Sequence, residues 1–136
     1  MKILLDTCAY SEFKRGNAGA LRAVEGAEEI VMNAIVLGEL LAGFIRGSHS
    51  VANRAELDDF LASPRVRFVE IDSETSERYA SIYNSLRDAG TPIPLSDVWI
   101  AASAMEHGLR VLTSDAHFAN VKQVVVEFFT PSSSSR

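Results

Sequence analysis

Short apolar runs alternate with longer mixed segments along the whole chain. Residues 2–6 (KILLD), 28–33 (EEIVMN), 65–71 (RVRFVEI), 110–115 (RVLTSD) and 123–129 (QVVVEFF) are rich in Val, Ile, Leu and Phe and are predicted to be strands. Helix-compatible stretches lie between them. The first two, CAYSEFKR and AGALRAVEGA, are separated by GNAG. Residues 34–47 (AIVLGELLAGFIRG) are too apolar for a surface helix, and Gly38 and Gly43 within them predict close contact with a neighbour. Residues 50–63 predict an amphipathic helix ended by Pro64, because the residue before proline is pushed out of helical geometry. Residues 73–90 carry apolar side chains at 79, 80, 82, 83 and 86 and stop at Gly90, a C-terminal cap. Ser96 is expected to cap the next helix, whose Ala101, Ala102 and Ala104 suit tight packing on a sheet.

Strands separated by helices imply parallel crossovers. The expected fold is therefore α/β, a three-layer α/β/α sandwich with a mainly parallel central sheet. A chain of 136 residues fits one core, so residues 1–130 are expected to form a single domain. Residues 131–136 are polar, with nothing to bury, and are expected to be a disordered tail.

Composition narrows the setting. A single cysteine, Cys8, allows no internal disulfide and fits a reducing compartment. Neither a secretory leader nor an apolar run of about 20 residues is present, so a cytoplasmic protein with no membrane segment is expected. The net charge of -5 disfavours diffuse attraction to phosphate backbones without excluding a local basic patch.

In an open α/β sheet the crevice forms at the carboxyl ends of the strands. Asp6 and Asp115 each follow a predicted strand, Asp97 opens a helix, and Glu39 sits inside the apolar helix. Each aspartate has an ordinary alternative. Asp6 could cap a helix, Asp97 could favour a helix N-terminus, and Asp115 could close a turn. Glu39 has Ile35, Val36, Ala42 and Gly43 as helix neighbours, so on a buried face it lacks a local cation. An unpaired buried carboxylate is costly, which favours a cation partner. Arg46, two turns on, is too far for an easy contact, and the competing reading is a partly exposed helix residue.

The segments LLDTCAY, AIVLGELLAGF, PLSDVWIAASAMEHGL and VLTSDAHF, in this order, closely resemble a PIN-domain ribonuclease of the VapC toxin type. The resemblance implies an α/β/α sandwich whose four carboxylates, here Asp6, Glu39, Asp97 and Asp115, surround Mg²⁺ or Mn²⁺ and form the catalytic site. Thr7 and Ser114 match hydroxyl positions that accompany the first and last acids. It also implies an RNA substrate, a VapB-type antitoxin that obstructs the acidic crevice, and a homodimer, for which the apolar, alanine-rich helices offer surface.

The chemistry is consistent with that resemblance. Four converging carboxylates repel one another and call for a hard, oxygen-seeking cation, which would also make a phosphodiester open to attack by water. His49, His107 and His117 form no zinc pattern; His117, two residues from Asp115, could approach a phosphate but reads first as a solvent-exposed loop residue. Cys8 reads as a small buried filler. Among the cations, Lys14, Arg15 and Arg46 flank the crevice and are the first candidates for phosphate contacts, ahead of Arg54, Arg65 and Arg67. Tyr79, Tyr83 and Trp99 are expected in the core or an interface. Two rival classes are a receiver domain and a silent PIN-like module. The first would favour adjacent acids after strand one, a central acceptor aspartate and a lysine at a late strand end, but Asp6 is followed by Thr7 and VLTSD offers no lysine; the second is disfavoured by all four acids being present.

Overall fold

The structure is a computed structural model and describes residues 1–133. Five strands, β1 (Lys2–Leu5), β2 (Glu29–Asn33), β3 (Val66–Val69), β4 (Arg110–Thr113) and β5 (Val126–Phe128), form one sheet in the order β3-β2-β1-β4-β5. Every adjacent pair is parallel. The central strands are apolar on consecutive positions because both faces are covered, and Ile3, Leu4, Leu5, Val31, Met32, Val111 and Leu112 are almost fully buried. The edge strands β3 and β5 are short and carry exposed or half-exposed residues, with Arg67 and Glu127 among them.

Helices α1 (Thr7–Lys14) and α2 (Ala18–Gly26) link β1 to β2, and α3 (Ala34–Arg46) and α4 (Ser50–Leu61) link β2 to β3. Helices α5 (Ser73–Asp88) and α6 (Leu95–His107) carry the chain back to β4. Right-handed crossovers in opposite directions put the first four helices on one face and the last two on the other, which is the three-layer sandwich. The return across β1 creates the switch point. There the chain leaves β1 toward one side and enters β4 on the other, opening a crevice at the carboxyl edge.

Several helix boundaries follow local chemistry. Asn33 caps α3 by accepting from the Val36 N–H, and Asp72 forms a capping box with Thr75 at the start of α5. Gly90 and Gly108 hold φ of 74° and 66° just after α5 and α6, a left-handed conformation that glycine adopts without a Cβ clash. Ser96 is not the cap of α6: the helix begins at Leu95 after Pro94, with no side-chain cap. The helix starts there because proline's fixed φ already sets the entry.

The expectation of a buried α3 is corrected. Of its residues only Val36 and Leu40 are buried, and Ile45 is 79 % exposed. A Cβ at Gly38 or Gly43 would meet nothing within 4 Å, so neither glycine marks a close neighbour within the chain. With Leu41, Phe44 and Val51 the helix instead lines an apolar groove of about 410 Å³. Conversely, Ala101, Ala102 and Ala104 of α6 are buried inside the chain and offer no surface to a second copy. Tyr79 stacks on Trp99 at 4.1 Å and on Tyr83 at 5.9 Å, which joins α5 to α6.

Residues 131–133 are exposed, yet Ser132 donates to the Glu12 carboxylate at 2.6 Å, and Asn17 Nδ2 donates to Ser132 Oγ at 3.1 Å. The expected tail beyond them, residues 134–136, lies outside the described residues. Among the described residues no helix is long and apolar enough to cross a membrane.

Candidate active site

The carboxyl ends of β1 and β4 lie side by side, so the residues that follow them share one edge of the sheet. Asp6 leaves β1 while its N–H still donates to Leu112 O, then caps α1 by accepting from the Ala9 N–H at 2.8 Å. Capping and membership of the acidic cluster are therefore compatible roles for one carboxylate. Asp115 follows β4 two residues on and caps the short 3₁₀ turn Ala116–Asn120 through the His117 N–H. Asp97 enters from the first turn of α6, and Glu39 from α3.

All four line a single cleft of about 440 Å³ together with Thr7, Cys8, Ser11, Glu12, Arg15 and Ile100. Asp6 is 4 % exposed and Asp97 has a side chain 14 % exposed, whereas Glu39 and Asp115 stand toward solvent. The premise that Glu39 lies on a buried face is thus corrected. It is an exposed residue whose carboxylate accepts from the Thr7 hydroxyl.

The electrostatics follow from this crowding. Burial raises the Asp97 carboxyl from the ordinary 3.8 to about 6, reinforced by the charges of Asp115, Asp6 and Glu39 and opposed by His117. Burial also raises Asp6, with Asp115 adding to it, while hydrogen bonds from Thr113, Ala9 and Cys8 pull the other way. The Cys8 thiol is pushed up by burial and by Asp6, so it stays an S–H donor and lies 3.1 Å from Asp6 Oδ1. Cys8 is therefore in contact with the first acid rather than a mere filler.

Two polar residues that sequence reasoning missed hold the acids in place. Thr113, fully buried at the end of β4, donates its hydroxyl to Asp6 Oδ2 and accepts from the Asp115 N–H at 2.9 Å, which ties the first acid to the last. Asn33, fully buried at the end of β2, caps α3 and donates to Ser103 Oγ of α6 at 2.9 Å, which ties the helix carrying Glu39 to the helix carrying Asp97. The signal was present: each is a polar residue ending a strand whose central residues are apolar. The Ser114 hydroxyl lies 3.3 Å from Cys8 Sγ rather than against one of the acids among the described residues.

His117 is half-exposed, as expected of a loop residue, but its Nδ1 lies 3.1 Å from Asp115 Oδ1 and 3.6 Å from Asp97 Oδ2. Among the cations, Arg15 lines the acidic cleft and also an adjoining one that includes Lys14, Thr7, Glu39, Asn53 and Glu56. Arg46 lines neither. Arg65 is bound to the carbonyls of Val24 and Ala27 at the end of α2, Arg67 pairs with Glu29, and Arg54 pairs with Asp58.

The donor set at the cleft is carboxylate oxygen with one imidazole nitrogen, which fits a divalent cation of the Mg²⁺ or Mn²⁺ kind and does not fit a thiolate-held structural zinc. Comparison with known proteins bears on the same region. The PIN domain family pattern matches residues 3–124. Ribonuclease VapC4 of Mycobacterium tuberculosis is 34 % identical over 95 residues, covering 70 % of this chain and 73 % of that protein. Ribonuclease VapC11 of the same organism is 31 % identical over 131 residues, covering 90 % and 92 %. In fold, the chain superimposes on a crystal structure of VapBC2 from Rickettsia felis bound to a DNA fragment from their promoter. The TM-score is 0.80 at 23 % identity, over 94 % of this chain and 98 % of that one. A pattern that runs from the first strand to just before the last, together with relatives that share 70 % and 90 % of its length, means that this chain belongs to the PIN-domain family, alongside its VapC members.

Proposed function

We propose that this protein is a metal-dependent endoribonuclease that hydrolyses RNA phosphodiester bonds and acts as a VapC-type toxin held in check by a VapB-type antitoxin. The observation that carries the reading is the convergence of Asp6, Glu39, Asp97 and Asp115 on one cleft at the switch point, where burial, reinforced by the neighbouring acids, pushes Asp97 up to about 6.

Mg²⁺ or Mn²⁺ held by these four carboxylates would offset the charge of the phosphodiester and make water a competent nucleophile near neutral pH. The chain's own residues do the positioning. Thr113 and Cys8 fix the Asp6 carboxylate, Thr7 fixes Glu39, and Ser114 contacts Cys8. The Asn33–Ser103 bond sets the distance between α3 and α6. Arg15 and Lys14, on the adjoining cleft, bind the phosphates that flank the scissile one, and Arg46 adds a more distant positive charge at the end of α3.

The apolar groove of Leu41, Phe44, Ile45 and Val51 receives the antitoxin, from which a basic side chain reaches the acids. A second copy docks on α5 and α6, where Tyr83, Leu95 and Met105 are exposed. The protein works in the cytoplasm, where RNA is available and Cys8 stays reduced. Residues 1–130 form the nuclease domain. Sequencing RNA 5′ ends after brief expression of the protein beside its Asp97→Asn variant tests the activity. New ends should cluster at a few sites with the wild type only. Identical ends in both, or cleavage by purified protein that proceeds unchanged in chelator, would remove the metal-dependent reading.

A further inference from the structure

One group at the cleft has no part in the scheme above. The Nδ1 atom of His117 is 3.1 Å from Asp115 Oδ1 and 3.6 Å from Asp97 Oδ2, and one donor atom from each of the three residues lies within 4.8 Å of the others. Ligands on adjacent corners of an octahedron with bonds of about 2.1 Å are about 3.0 Å apart, and those on opposite corners are about 4.2 Å apart. The two distances from the His117 ring, 3.1 and 3.6 Å, fall inside that range, so the imidazole is placed to share an ion with either acid. The placement is also built in. The His117 N–H donates to Asp115 Oδ1 at 2.9 Å, and the Asp115 N–H donates to Thr113 at 2.9 Å, so the loop that carries the acid holds the imidazole over it. The His117 side chain is 51 % exposed, whereas Asp6 is buried, so the imidazole is open to solvent beside the acids.

We propose that His117 is a nitrogen ligand of the metal centre, beside Asp97 and Asp115, and that it biases the centre toward Mn²⁺ over Mg²⁺. This rests on the metal-centre reading given above and deepens it. The reason is ligand chemistry. Mg²⁺ takes oxygen donors and gains little from imidazole, whereas Mn²⁺, though the weakest nitrogen binder of the first-row divalent ions, gains more from it than Mg²⁺ does, so one nitrogen among carboxylates raises affinity selectively. If His117 were only a counter-charge to the two acids, either ion would displace it, and its removal would change both affinities alike.

The test uses chelator-treated full-length protein titrated with Mn²⁺ and with Mg²⁺ by calorimetry, as wild type and as His117→Ala. A pulsed electron-paramagnetic-resonance measurement of nitrogen-14 coupling to bound Mn²⁺ accompanies it. His117 is exposed, so the variant keeps the core intact, and circular dichroism checks this. The expected result is nitrogen coupling in the wild type that disappears in the variant, with Mn²⁺ affinity lowered at least about tenfold and Mg²⁺ affinity nearly unchanged. Bound Mn²⁺ without nitrogen coupling, or an equal change for both ions, would overturn the His117 assignment while leaving the carboxylate centre standing. Failure of the wild type to bind either ion would remove both.

Discussion

Replacing Asp97 by Asn keeps the side chain's shape and removes its charge, and the structure sets the size of the effect. The carboxyl is raised from 3.8 to about 6, a shift worth ~3 kcal/mol at about 1.4 kcal/mol per pH unit. The cleft is open to water, so screening leaves about half of that. Asp97 also sits in the first turn of α6, where a negative charge gains about 0.3–1 kcal/mol from the helix dipole. The net cost of the ionised form in metal-free protein is then about 1 kcal/mol. The sign follows from proton counting. A folded pKa above the unfolded one means that the native state binds more protons between about pH 4 and 6, so stability falls as pH rises through that window. The Asp97→Asn variant lacks this contribution. Its melting temperature without metal should match the wild type near pH 4 and exceed it by about 3–5 °C at pH 8. Metal-dependent stabilisation should disappear, and RNA cleavage should drop at least about a hundredfold, or ~2.7 kcal/mol of barrier. Scanning calorimetry at the two pH values and cleavage of a labelled RNA, on one preparation, measure all three. A variant that is less stable at pH 8 and fully active would show Asp97 to be only a helix-terminal charge.

Millimolar Mn²⁺ or Mg²⁺ should raise the melting temperature of the wild type, because an ion bound only by the native state shifts the folding equilibrium; thermal denaturation with and without chelator measures it. Thr113→Val removes the hydroxyl that joins Asp6 to the Asp115 N–H, leaves a buried carboxylate short of a donor, and should cost about 1–3 kcal/mol by urea denaturation, with slower cleavage. Asn33→Ala deletes both the α3 cap and the bond to Ser103, so a loss of about 1–2 kcal/mol is expected, with metal affinity lowered as Glu39 and Asp97 lose their shared support; calorimetry checks both. Arg15→Ala should raise KM more than it lowers kcat and reduce the salt dependence of RNA binding by about one counterion, read from binding isotherms at several salt concentrations.

Much of the architecture is legible in the chain itself. The runs KILL, EIVM and RVLT are apolar on consecutive positions, which only a strand covered on both faces can use, and the intervening segments are long enough for helical crossovers. Parallel pairing then follows, and with it a crevice beside the residues after β1 and β4, so Asp6 and Asp115 could be placed near each other from sequence alone. What could not be read locally depends on contacts across many residues. The apolar α3 looked buried because composition reports how a segment would pack, not whether the chain supplies a cover; here only Val36 and Leu40 are fully buried, Ile35, Leu37, Leu41 and Phe44 reach the core while still partly exposed, and Glu39 faces water. The hydroxyl of Thr113 meets Asp6 across 107 residues and Asn33 meets Ser103 across 70, pairings that no local window contains. His117 looked like a solvated loop residue until the 3₁₀ turn after Asp115 set its ring against two carboxylates. The sequence by itself determined which residue types stand at the strand ends, because burial and chain reversal constrain each position locally. Only the tertiary structure decided which of them touch, because hydrogen bonds and charge repulsion act through a few ångströms of space and are indifferent to distance along the chain.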